Sequence, residues 1–250
     1  MSKRYKGQTC IYCLAPGCSS TGDHVIAREF FPENRRMALP VVPACEACNN
    51  EKSKLEHYAT AVTPFGAQHA NSVNVLASMV PPRLEKNLKL ARSLRDGMQR
   101  SLVSGDGGRT FETQVSLPFD GQKFRRLLNM ITRGLAFHEF GVLLPDADCA
   151  VFADFLGHDG RQFVDGSLAQ NGRRVAKSLG GGIFDYEAVQ SFSSPQITVW
   201  RMSFGGMVVA GDPRAPSETT SAIGAITALR RMKATAEFIR RLEADAARMS

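Results

Sequence analysis

CIYCLAPGCSSTGDHVIAREFFPENRRMALPVVPACEACNNEKS, residues 10–53, is the stretch on which the fold reading turns. It holds two C-x2-C pairs, Cys10/Cys13 and Cys45/Cys48, with Asp23-His24 between them and Asn49 directly after the last cysteine. A C-x2-C knuckle turns the backbone so that two sulfurs face one point. A second knuckle completes the four thiolates of a tetrahedral structural zinc. About sixty residues bury too little apolar surface to be secure alone, so the metal supplies folding free energy. On the cysteines alone the reading is a zinc ribbon or treble clef with a structural metal. Asp23 and His24 have no place in that thiolate site and need a separate explanation.

Composition sets the outer limits. A chain of 250 residues, 43% hydrophobic and 22% charged, has the make-up of a soluble globular protein and room for a small module plus a medium domain. No apolar run approaches the roughly 18 residues of a membrane span. MSKRYKGQTC is basic but leads into no apolar stretch, so it does not read as a secretory signal, and the cytoplasm is the expected location. Five of the six cysteines fall within the first fifty residues, and without an export signal that spacing favours metal over disulfides. Cys149, alone in an apolar segment, reads as a buried core residue. The net charge of +7 suits a polyanionic partner such as nucleic acid.

Outward from the cysteines, the expected class is α+β: a zinc module over residues 1–62, then a mixed α+β domain over 63–250. Thr63 to Pro82, with Pro64, Gly66, Pro81 and Pro82, reads as a connector. Arg83 to Val103 carries Leu84, Leu88, Ala91, Leu94, Met98 and Leu102 at helical spacing, with Lys86, Lys89, Arg92, Arg95 and Arg100 at polar positions. Phe111 to Leu117 alternates like a half-buried strand, and Gln122 to Phe140 reads as a second helix. Cys149 to Leu156 and Ile183 to Val189 are expected strands, and Ile197–Phe204 and Met207–Ala210 flank Gly205-Gly206 as a hairpin. Ile223, Ile226, Leu229, Met232, Ala236, Ile239 and Leu242 predict a long helix over 217–248. LGGGIF at 179–184 lacks a following Gly-Lys-Ser/Thr and reads as a loop, as does His158-Asp159.

The order CxxC, DHxxxR, CxxCNxxK resembles the HNH endonuclease family over residues 10 to 58, through CIYC, GDHVIAREFF and VVPACEACNNEKS. The resemblance implies a ββα-metal module, a treble-clef variant, that hydrolyses phosphodiester bonds in DNA. On matching positions it makes His24 the general base on the attacking water, and an imidazole with an intrinsic pKa near 6.5 suits that task at neutral pH. It makes Asp23 and Asn49 the ligands of a catalytic divalent cation, and their hard oxygens suit Mg2+ or Mn2+. Cys10, Cys13, Cys45 and Cys48 hold the structural zinc. Arg28 and Lys52 are the implied phosphate contacts, with Lys54 a weaker one.

The chain departs from the family at Pro40, where an asparagine that braces the loop and orients the base is usual; Asn34 is the alternative brace. Asn50 reads as part of the helix start, His57 as an exposed helical histidine and Cys18 as a free turn cysteine. A non-catalytic zinc module that binds nucleic acid or a protein stays open as an alternative, as does a nuclease directed at RNA. One HNH site cuts one strand, so double-strand cleavage implies a homodimer or two successive events.

Overall fold

The computed structural model describes residues 3–67, 69–70, 72–105, 110–210 and 219–232. The chain is mixed α+β. β1 (Thr21–His24) and β2 (Val41–Ala44) pair antiparallel with Asp23 opposite Val42 and His24 opposite Val41, and α1 (Glu46–Gly66) follows at once. Cys45 caps α1: its sulfur accepts from the Cys48 N–H. β1, β2 and α1 form a ββα unit over residues 21–66.

Beyond it come α2 (Ser72–Ser78), α3 (Val80–Lys86) and α4 (Leu88–Asp96). The connector expected over 63–82 is therefore largely helical, and α1 runs past residue 62 through Pro64. The single helix expected over 83–103 is also corrected. It breaks at Asn87, whose side chain caps α4 by accepting from the Leu90 N–H, and it ends at Gly97. Residues after that form β3 (Gln99–Gly105), paired antiparallel with β4 (Thr110–Ser116). Pairing with the next strand supplies the backbone hydrogen bonds there, which the helical spacing of Leu94, Met98 and Leu102 does not reveal.

α5 (Gly121–Phe140) spans the expected second helix, with Asp120 as its N-cap and Gly141, at φ +70°, closing its C-terminus. It lies against a five-stranded antiparallel sheet of β5 (Cys149–Phe155), β6 (Arg173–Leu179), β7 (Phe184–Gln190), β8 (Thr198–Phe204) and a further strand from the tail, with α6 (His158–Leu168) between β5 and β6. After the Gly205-Gly206 turn the chain does not return along β8. β9 (Val209–Ala210) pairs with β10 (Thr219–Thr220), and the Val208 N–H donates to the Gly66 carbonyl.

The tail carries the largest correction. Residues 223–229 form β11 (Ile223–Leu229), inserted between β5 and β8, and the sheet order is β5-β11-β8-β7-β6. The remainder of the helix expected over 217–248 lies outside the described residues from 233 on. A central strand covered on both faces needs no polar alternation, so Ile223, Ile226 and Leu229 satisfy helix and strand alike. His158-Asp159 is corrected too: it opens α6, with Gly157 at the N-cap, and is not a loop.

The two sheet faces are covered separately. Trp200, Met202 and Phe204 point toward α5, whereas Val199 and Val189 meet Val164 and Leu168 of α6. The main buried cluster runs from Ile26, Phe31 and Val42 of the ββα unit, through Leu127, Leu128 and Ile131 of α5, to Phe184 and Trp200 of the sheet. α5 is thus sandwiched, and Gly134 marks the close approach: a Cβ there would lie 2.8 Å from both Val25 methyls, directly after His24. No helix among the described residues is long and apolar enough to cross a membrane.

Candidate metal and active site

The thiols come together first. Sulfurs of Cys10, Cys13, Cys18 and Cys45 all lie within 4.8 Å of one another and could hold a metal such as zinc. Cys13 and Cys45 are 3.8 Å apart, and bonds of about 2.3 Å to a tetrahedral zinc place two sulfurs about 3.8 Å from each other. The donor set therefore fits zinc in type and spacing. Leu14, next after Cys13, sits at φ +59°, a left-handed conformation that glycine normally takes and that lets the knuckle turn.

Cys18 corrects the expectation of a free turn cysteine. Its S–H donates to the Ala15 carbonyl at 3.2 Å, and the loop brings it into the thiol group. Cys48, expected as the fourth ligand, is not among these four mutually close sulfurs, although its thiol interacts with those of Cys45, Cys10 and Cys13. Burial and these neighbours push the Cys48 thiol well up. Burial opposes ionisation of Cys45, but the Cys48 N–H and the surrounding thiols outweigh it and bring Cys45 down to about 7. The loop cysteine Cys18 thus takes the place that spacing assigned to Cys48.

The Asp-His pair lies at the end of β1. Asp23 is buried, and its Oδ2 accepts from the Tyr12 hydroxyl at 2.5 Å and meets the Lys52 ammonium at 3.0 Å. Lys52 is 0% exposed. Its Nζ also donates to the His24 carbonyl at 2.7 Å and pairs with Glu56 one turn further along α1. The ammonium therefore ties the second turn of α1 to the end of β1. It faces inward, which does not suit the phosphate contact expected of Lys52. Arg28 is exposed, four residues past His24, and remains available for such a contact.

Asn49 sits in the first turn of α1, partly exposed, three residues before Lys52 and so on the same side of the helix. His24 is half-buried. Desolvation and then the Arg28 guanidinium lower its pKa below the ordinary 6.5, so the ring is neutral at pH 7. Burial raises Glu56 to about 7 despite the opposing pull of Lys52, and burial and the Asp23 charge push Tyr12 upward. Pro40 is buried, and its carbonyl accepts from the Val25 N–H at 2.9 Å, extending the β1–β2 pairing. Asn34 is exposed in a 3-10 turn and makes no hydrogen bond to His24 among the described residues. His57, Lys54 and Asn50 are exposed on α1.

Tyr12 and Glu56 were not singled out from the sequence. Lys52 and Glu56 stand at i,i+4, a spacing that signals a helical ion pair. Nothing local marks Tyr12, because its partner lies eleven residues away across the loop. Comparison with protein-family models, with curated proteins and with solved structures gave no match for this chain.

Proposed function

We propose that this chain is a metal-dependent endonuclease of the HNH type that hydrolyses phosphodiester bonds in DNA. The observation that carries the reading is the Lys52 tie, which draws α1 onto the end of β1, where Asp23 and His24 lie, with Asn49 about one turn earlier on the same side of the helix. A structural zinc module has no need of a buried carboxylate beside a neutral imidazole. His24 accepts the proton of an attacking water at a ring nitrogen, and its lowered pKa keeps that nitrogen free at neutral pH. Asp23 and Asn49 would hold Mg2+ or Mn2+ through oxygen, and such a cation neutralises charge at the reacting phosphate. Tyr12 and Lys52 both contact Oδ2 of Asp23. Arg28, exposed beside the base, meets the substrate backbone.

A second reading, a non-catalytic zinc module that binds nucleic acid or protein, is favoured by two observations. The Asp23 carboxylate already has a buried ammonium partner, and Pro40 stands where the family's bracing asparagine is usual. Plasmid nicking by zinc-loaded protein with Mg2+, Mn2+ or no added metal separates the two, with His24→Ala run alongside. Nicking that requires the metal and vanishes in His24→Ala supports the nuclease. Folded wild type that nicks with neither metal leaves the binding module, and cleavage of RNA in preference to DNA redirects the substrate assignment.

A further inference from the structure

The basic residues of this chain fall into two groups that the structure treats differently. On α5, Lys123, Arg125, Arg126 and Arg133 each take a carboxylate partner: Asp120, Asp154, Glu51 and Asp146 respectively. Each of those charges is offset by its carboxylate. The second group is Lys86, Lys89, Arg92 and Arg95, at three-residue intervals along the end of α3 and all of α4, followed by Arg100 on β3. All five are exposed. Among the described residues Lys86, Lys89, Arg92 and Arg100 have no carboxylate partner, although Glu85 and Asp96 stand in the same segment; only Arg95 meets one, Asp96 at 3.6 Å.

The fold aims this ridge outward. Leu94 of α4 packs on Tyr58 and Val62 of α1, with Leu90 beside it, so the basic positions face solvent. The fold also ties the ridge to the candidate site. Arg83, at the start of the same segment, donates to the Glu29 carbonyl at 2.5 Å and to the Thr60 carbonyl at 2.7 Å. That pins α3 beside the turn carrying Arg28, four residues from His24. From Asn49 to Val62 α1 rises about 20 Å. That length corresponds to about six base pairs of a duplex at 3.4 Å each.

We infer that the α3–α4 ridge of Lys86, Lys89, Arg92 and Arg95, continued by Arg100, is a backbone-tracking surface for double-stranded DNA that positions the duplex across the His24 corner. The inference rests on the nuclease reading for its substrate, but it concerns binding and is measured without cleavage. Contacts of this kind fix register on the duplex and carry no base information, so the surface predicts affinity without sequence preference.

The test is the salt dependence of binding of a fluorescein-labelled 20-base-pair duplex to zinc-loaded protein with no divalent metal added. Wild type is compared with Lys86→Gln/Lys89→Gln/Arg92→Gln/Arg95→Gln, and with Lys123→Gln/Arg126→Gln as a control for lost charge elsewhere. Each phosphate contact contributes about 0.9 to the slope of log K against log salt, so four lost contacts lower it by about 3.6 and weaken binding roughly a thousandfold near 0.1 M salt. The control pair is expected to change the slope by less than one contact's worth, and circular dichroism and zinc content confirm that the exposed substitutions leave the fold intact. An unchanged slope in the quadruple variant, no binding by wild type, or equal binding of double-stranded RNA overturns the inference. Plasmid nicking is read separately. Binding with the expected slope change but no nicking keeps the ridge and removes the nuclease; nicking with an unchanged slope does the reverse.

Discussion

Replacing Lys52 by methionine tests the centre of the ββα unit. The side chain keeps its length and apolar stem but loses the ammonium that Asp23 meets at 3.0 Å, in a place where Lys52 is 0% and Asp23 7% side-chain exposed. At that separation, with an effective dielectric of about 20, the lost attraction is on the order of 5 kcal/mol. Breaking a buried pair by removing one partner costs about 3–5 kcal/mol, because the remaining charge is left without its partner, and the expected loss at pH 7 is of that size. Glu56 sets the pH dependence: burial holds it at about 7 against the pull of Lys52, and losing the ammonium raises it further. By linkage a raised carboxyl contributes stability that is present at low pH and lost as pH rises through its folded value, so the loss is smaller at pH 5 than at pH 7. Urea unfolding of the zinc-loaded protein at the two pH values reads the effect. Asp23→Asn in the Lys52→Met background is expected to recover about 2 kcal/mol, because it removes the stranded charge. A loss under about 1 kcal/mol at pH 7, or one no smaller at pH 5, would refute the reasoning.

Other expectations are briefer. If His24 is the base, the rate of metal-dependent nicking rises with pH along a single acid limb whose midpoint lies below 6.5 and is flat above pH 7; a midpoint above 7 contradicts the desolvation that lowers this imidazole. With Cys10, Cys13, Cys18 and Cys45 as the close set, Cys18→Ser is expected to lose bound zinc and destabilise the N-terminal unit while Cys48→Ser retains it, as metal analysis and circular dichroism will show. The reverse outcome would restore the ligand set that the two C-x2-C pairs suggest. Gly134→Ala gains about 1 kcal/mol of helix propensity but drives a methyl to 2.8 Å from the buried Val25, so a net destabilisation of about 1 kcal/mol is expected, reversed when Val25→Ala is added. Glu56→Gln removes a carboxyl held near 7, so the decline in stability that it contributes between about pH 4.5 and 7 should disappear.

Local chemistry determined a good part of this protein from the sequence. The knuckle cysteines, the α1 start at Cys45, the Asp120-capped α5 and the Gly205-Gly206 turn carry their conformation in their own residues, through sulfur spacing, side-chain caps and glycines at positive φ. Non-local partners decided the rest. Residues 223–229 become a strand because β5 and β8 offer hydrogen-bonding edges on either side. Cys18 joins the thiol group through loop closure, which no C-x2-C spacing announces. Lys52 shows the division within one residue. Its i,i+4 relation to Glu56 is written in the chain, whereas the meeting with Asp23, and hence an ammonium turned inward instead of toward solvent, exists only once α1 has packed on β1. Sequence spacing sets which groups share a helix face; burial and the low dielectric of the packed interior decide which charges must find each other.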